Sequence, residues 1–163
     1  MNPEASNNAD SSLILPSCGE LESSLILPSC GELERSLSQA IQNHYRQLLG
    51  HLPKKVICHL FGRELVIILQ SSATQVERFL SQEGRSELLF QVRQTIDQQL
   101  KQSVAQVIEA ILAVDVKDIM VDTSLSLEQT GVIAILSKTP AVRNPDHIPK
   151  TPAYRKTAKQ KVR

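Results

Sequence analysis

The residues with chemistry to offer are few, and their spacing decides what each can do. Cys58 and His59 are adjacent, and a thiol beside an imidazole is the raw material of a nucleophile with its base. The flanking run KKVICHLF alternates as a strand, so neighbouring side chains point to opposite faces and this pair does not meet. Nothing basic is fixed beside Cys58 in sequence, and the thiol reads as a small buried hydrophobe. Cys18 and Cys30 are twelve residues apart with no Cys-x-x-Cys or Cys-x-x-His companion, which gives weak support for zinc. Read as parts of exposed arms, they offer intermolecular disulfides under oxidation. His44 and His51 could share a helix face, but two histidines do not make a metal site. Asp118 and Asp122 share one face of a strand at a separation of about 13 Å, too far for one ion, and with Asp115 they read as a solvated face. No phosphate-cradling glycine loop, Ser-His-Asp set or HExxH run is present. The reading is therefore no catalytic residue, no cofactor and no metal.

One further set is electrostatic. Arg155, Lys156, Lys159, Lys161 and Arg163 crowd the C-terminal end, where they could hold RNA, DNA or an anionic surface by charge. At the other end Glu4, Asp10, Glu20, Glu22, Glu32 and Glu34 lie in a stretch with no Lys or Arg. The net charge of +1 conceals this asymmetry of an acidic arm, a neutral body and a basic tail. The arm also carries an exact tandem repeat, SSLILPSCGELE at Ser11–Glu22 and again at Ser23–Glu34. Two copies are too few to stack a core, so the plain reading is an in-frame duplication, the sharper one a docking segment displayed twice.

The elements that must position these groups follow from periodicity. Of 163 residues 41% are hydrophobic, almost all aliphatic, enough for one domain with tails. Leu33, Leu37, Ala40, Ile41, Tyr45 and Leu48 form the stripe of a helix over about Glu32–Leu49, closed by Gly50. Lys54–Phe61 and Glu64–Gln70 are strands joined by Gly62-Arg63, a pair suited to a type II′ turn. The second is apolar on both faces and reads as an inner strand covered by helices. Thr74 and Glu77 form a capping box that opens a short helix to about Gln82. From Gly84 to Leu112 runs one long helix with Leu89, Val92, Ile96, Leu100, Val104, Val107, Ile108 and Ile111 inward. Arg93, Gln94, Gln98, Lys101 and Gln102 are assigned to water. Strands over Val116–Ser124 and Val132–Ser137 complete the series. From Thr139 onward, four prolines and the basic end predict an extended, solvated tail.

The expected fold is α+β. Its four-stranded sheet comes from two β pairs in the order α-ββ-αα-ββ, packed by the long helix and the N-terminal helix. Residues 1–31 form a disordered acidic arm, 32–139 the domain, and 140–163 a disordered Pro-rich then basic tail. The alternative is two separate hairpins that complete a sheet only in a dimer. The longest apolar runs are five residues, against about 20 for a membrane span, and three cysteines without a secretory signal point to a soluble, cytoplasmic protein.

This order of elements resembles the MpsC family, the Na+-translocating membrane potential-generating system domain. The resemblance covers about Leu33 to Thr139. It rests on Leu49, Gly50 and Pro53 before the hairpin, on Thr74, Glu77, Arg78 and Leu80, on Val92-Arg93, and on Val116, Asp118, Ile119 and Asp122. His51-Leu52 departs from the family's usual Gly-x-Gly-Pro, and Ser103 stands where a proline is common. The resemblance implies a non-enzymatic accessory or regulatory protein of a membrane cation or inorganic-carbon transport system, with a protein partner. It supplies no catalytic residues. A nucleic-acid or anionic-surface binding module acting through the basic tail is the alternative function.

Overall fold

A computed structural model describes residues 27–149. The first helix, α1, spans Cys30–Leu49, and Ser29 caps it through a reciprocal box with Glu32. It therefore starts two residues before the sequence expectation, because the Ser29 hydroxyl and the Glu32 carboxylate satisfy donors left open at the helix start. Leu33, Leu37, Ile41 and Tyr45 line its buried side at steps of four. Gly50, at φ 65°, takes the left-handed position that ends it.

Strands β1 (Lys55–Phe61) and β2 (Glu64–Gln70) form a hairpin whose turn has positive φ at Gly62 and not at Arg63. Helix α2 (Gln75–Gln82) opens on the Thr74–Glu77 capping box. Helix α3 follows over Ser86–Leu112 and ends on Ala113, a non-glycine residue at φ 51°. Strands β3 (Val116–Ser124) and β4 (Gln129–Leu136) close the domain. The sheet order is β1-β2-β4-β3, antiparallel throughout. Because β2 pairs directly with β4, the sheet is complete within one chain, which overturns the alternative of two hairpins joined only in a dimer.

Helices α1 and α3 lie side by side on one face, α1 against β1 and α3 against β3. Beneath them Leu60, Leu65, Ile67, Val132, Ala134 and Leu136 interdigitate with Ile41, Leu100, Val104 and Ile108. Strand β2 is an inner strand, as expected, but helices cover only one of its faces. Leu65, Ile67 and Leu69 are buried, whereas Ile68 on the opposite side is 37% exposed. Its double-sided apolar character therefore serves a core on one side and an open surface on the other.

Residues 140–149 remain attached to the domain. Val142 and Ile148 enter the core, Arg143 donates its backbone N–H to the Pro28 carbonyl at 3.0 Å, and the Asn144 side chain accepts from the Cys30 N–H at 3.0 Å. The solvated tail expected from residue 140 is instead buried at these two positions. A proline-rich backbone need not be helical or extended into water to bury single side chains.

Candidate functional site

Arg93 is the largest departure from the sequence reading. Assigned to water, it is 5% exposed. It lies four residues after Leu89 and seven before Leu100, so it occupies the inward stripe of α3. Its Nη1 donates to Glu77 Oε1 at 3.0 Å, across the α2–α3 junction. Its Nε donates to Asp97 Oδ1 at 2.9 Å, one turn along α3, and Nη2 reaches the same oxygen. Glu77 is itself 1% exposed, and its second oxygen accepts from the Thr74 N–H and hydroxyl, both at 2.8 Å. One carboxylate thus caps α2 and anchors α3.

The network continues into the sheet. Thr123 donates to Asp97 Oδ1 at 3.3 Å and shares a 2.8 Å hydrogen bond with Thr130, which shares another of 2.8 Å with Ser72. The Tyr45 hydroxyl donates to the Ser72 carbonyl at 2.6 Å. Helices α1, α2 and α3 and the ends of β2, β3 and β4 therefore meet in one polar chain. Outside it, Arg78 grips Glu128 with two bonds of 2.8 Å, tying α2 to the β3–β4 loop.

The electrostatics follow from this geometry. Burial works against the charge of Arg93, and its hydrogen bonds to Asp97 with the fields of Asp97 and Glu77 outweigh it, so the guanidinium is held above its ordinary value. Burial pushes the Tyr45 phenol up. On the exposed side, the Arg78 bond holds Glu128 below the usual carboxylate range. Each charge in the cluster is committed to another. What the cluster does is lock two helices and a sheet end into one arrangement. Beside it lies a cleft of about 450 Å³ lined by Phe90, Arg93, Asp97, Asp122 and Thr123.

Cys58 is 4% exposed and His59 points the other way, with Nδ1 3.7 Å from Glu34 Oε1. Burial pushes the Cys58 thiol up to about 11, the opposite of an activated nucleophile. Cys30, read as part of an exposed arm, is instead buried at the start of α1. An intermolecular disulfide there requires the helix to open. His51 contacts the Ser71 carbonyl through Nε2 at 2.7 Å, whereas His44 Nε2 is buried without a partner. Asp118 and Asp122 are exposed on the open side of β3. Among the described residues no three His, Cys, Asp or Glu side chains converge on a metal position. Arg155, Lys156, Lys159, Lys161 and Arg163, like the first copy of the repeat, lie outside the described residues.

The second copy is partly visible. Ser29 and Glu32 cap α1, Leu33 is buried, and Glu34 Oε1 accepts the Leu60 N–H of strand β1 at 2.9 Å. Its last six residues are structural parts of the domain.

Among the described residues, two helices packed on one face of a four-stranded antiparallel sheet, with the short α2 pinned to α3 by a buried Arg–carboxylate cluster, define a two-layer α+β domain. Residues 29–138 match the family model described as Na+-translocating membrane potential-generating system (MpsC), and the chain belongs to that family. Neither the curated proteins nor the solved structures compared with the chain gave a match. Among the described residues, no helix is long and apolar enough to cross a membrane.

Proposed function

We propose that the chain is a non-enzymatic accessory or regulatory protein of a Na+-translocating membrane potential-generating system, working at the cytoplasmic side through contact with a membrane-embedded partner. The observation that carries this reading is the family match over residues 29–138, which takes in all the α-helices and β-strands among the described residues. The buried cluster supports it, because Arg93, Glu77 and Asp97 satisfy one another and hold a scaffold in place. The test is affinity capture with the full chain from detergent-solubilised membranes of its own cells. Enrichment of subunits of a cation-transport complex is the expected result. A capture containing no integral membrane protein would contradict the proposal.

A second reading rests on composition. The basic residues 155–163 supply a surface for nucleic acid or anionic lipid headgroups, and their contribution must be mostly electrostatic, because Tyr154 is the only aromatic side chain nearby.

A further inference from the structure

The sheet has two edges, and they differ. On β1 the Leu60 N–H is taken by Glu34 at 2.9 Å, with α1 packed alongside. Strand β3 has β4 as its one neighbour, so among the described residues no strand pairs with the outer backbone groups of Met120 to Ser124. Such a row is a template for an added strand. Above Met120 the edge is interrupted, because the Ile119 N–H bonds the Asp118 side chain at 2.8 Å and a bulge lies between Val116 and Asp118. A groove follows the open part. The cleft beside the buried cluster continues into a second of about 440 Å³ between α3 and β3, with Gln94 and Asp97 common to both. Phe90 and Leu125 wall the first, Met120 and Val121 the second. Two acids flank the edge, Asp97 on the helix side and Asp122 on the open side. Asp97 Oδ1 accepts from Arg93 and Thr123, whereas Oδ2 accepts from no described residue. Glu77, Asp97 and Asp122 against the single Arg93 leave two net negative charges at this end. Nearby, Arg78 is cancelled by Glu128, and Arg85 and Glu87 at the start of α3 sum to zero. Lys101, one turn above Asp97, and Lys117, within the bulge, make the upper end basic.

We propose that this groove holds an extended cytoplasmic segment of the membrane-embedded partner, added to the sheet beside β3, with two adjacent Lys or Arg residues at the acidic end; this occupant rests on the accessory role proposed above. Neighbouring side chains of a strand point to opposite faces, so one cation meets Asp97 beneath α3 and the other meets Asp122 on the open side. Main-chain bonds to β3 supply affinity, and the two carboxylates supply specificity. The charge of the groove matches that class of partner. Cytoplasmic segments close to membrane spans carry an excess of Lys and Arg. Lys101 disfavours a further cation one turn along α3, which confines the basic pair to the lower end and sets the register.

The probe is a capped peptide of alternating threonine and valine with a central Arg-Lys pair, titrated into the isotopically labelled full chain and followed by amide NMR shifts. Saturable shifts at Met120 to Ser124 are expected. Exchanging the basic pair for two glutamines should weaken binding roughly fivefold, and Asp122→Lys in the protein roughly tenfold. Asp122 is exposed, so this variant keeps the wild-type circular dichroism spectrum. Absence of shifts along β3, or binding indifferent to the basic pair and to Asp122→Lys, would overturn the proposal. So would binding that appears only when Arg155, Lys156, Lys159, Lys161 and Arg163 are all replaced by glutamine, since the chain's own tail would then be the occupant. The wild-type chain and Asp122→Lys are also compared in the capture from solubilised membranes. Loss of the transport subunits with Asp122→Lys supports the groove as their site. Equal capture by both overturns the groove and leaves the accessory role standing, whereas capture by neither contradicts the accessory role and this occupant with it.

Discussion

Arg93 Nη1 lies 3.0 Å from Glu77 Oε1, and both side chains are almost completely removed from water, at 6% and 0% exposure. This contact joins the first turn of α2 to the inward face of α3, and Asp97 and Thr123 extend it to the sheet. A buried pair of this kind is weak evidence of net stabilisation against an apolar substitute. Removing one partner, however, leaves an uncompensated charge. Arg93→Met is accordingly expected to destabilise the domain by about 3–5 kcal/mol. Arg93→Lys should lose less, because one ammonium keeps the charge but cannot reproduce the fork. Urea unfolding followed by circular dichroism checks both. Equal stability of Arg93→Met and wild type would show that the cluster does not hold the helices.

The end of α3 carries strain that a single substitution relieves. Ala113 sits at φ 51° and donates its N–H to the Glu109 carbonyl at 3.0 Å. An L-residue in the left-handed region costs about 1–2 kcal/mol, which glycine avoids, while glycine's extra freedom in the unfolded chain returns part of that gain. Ala113→Gly should therefore stabilise the domain by about 0.5–1 kcal/mol. A lower midpoint of thermal unfolding in this variant would contradict the strain argument.

Cys58 gives a pH signature. Burial raises its thiol from the ordinary 9.0 to about 11, so the folded state prefers the neutral form. The corresponding stability is complete below pH 9 and is lost as pH rises through about 11, because the unfolded chain ionises first. The loss amounts to about 2–3 kcal/mol across that window. Other groups titrate there too, so the comparison is with Cys58→Ala, whose stability should fall less steeply. Parallel pH profiles would remove the assignment.

The second functional reading makes its own prediction. If residues 155–163 hold a single-stranded oligonucleotide through five cations, affinity falls about tenfold for each doubling of salt. Truncation after Pro149 position, removing 150–163, should abolish binding.

 This cut leaves Val142 and Ile148 in the core, which a deletion starting at 143 would strip of Ile148. Removing the acidic residues 1–26 should strengthen binding at low salt, since they compete for the same cations. Affinity that survives high salt or loss of the tail would place the site on the domain instead.

Much of this fold is legible in the sequence, for physical reasons that particular residues display. The steps of four through Leu33, Leu37, Ile41 and Tyr45, and the alternation of Val56, Cys58 and Leu60, report burial directly. Thr74 with Glu77 and the glycine at position 50 mark helix ends, because local backbone groups demand them. Arg93 was hidden by its type. Its place on the stripe pointed inward, but a guanidinium goes inward only with partners, and Glu77 is sixteen residues away on another helix. The strand order was hidden as well, since pairing of β2 with β4 is a long-range choice that no local pattern encodes. The open side of β2 is ambiguous in the sequence for a related reason. Apolar residues on both faces show that both avoid water, and do not show that the same chain covers both.

The proposed role ties this chain to a Na+-translocating system that builds membrane potential. The most direct measurement is the membrane potential of cells lacking the chain, followed with a potential-sensitive dye as Na+ is varied. That role requires a reduced Na+-dependent potential, restored by the wild-type chain and not by Arg93→Met, whose scaffold is loosened. A Na+-dependent potential that is the same with and without the chain would contradict it.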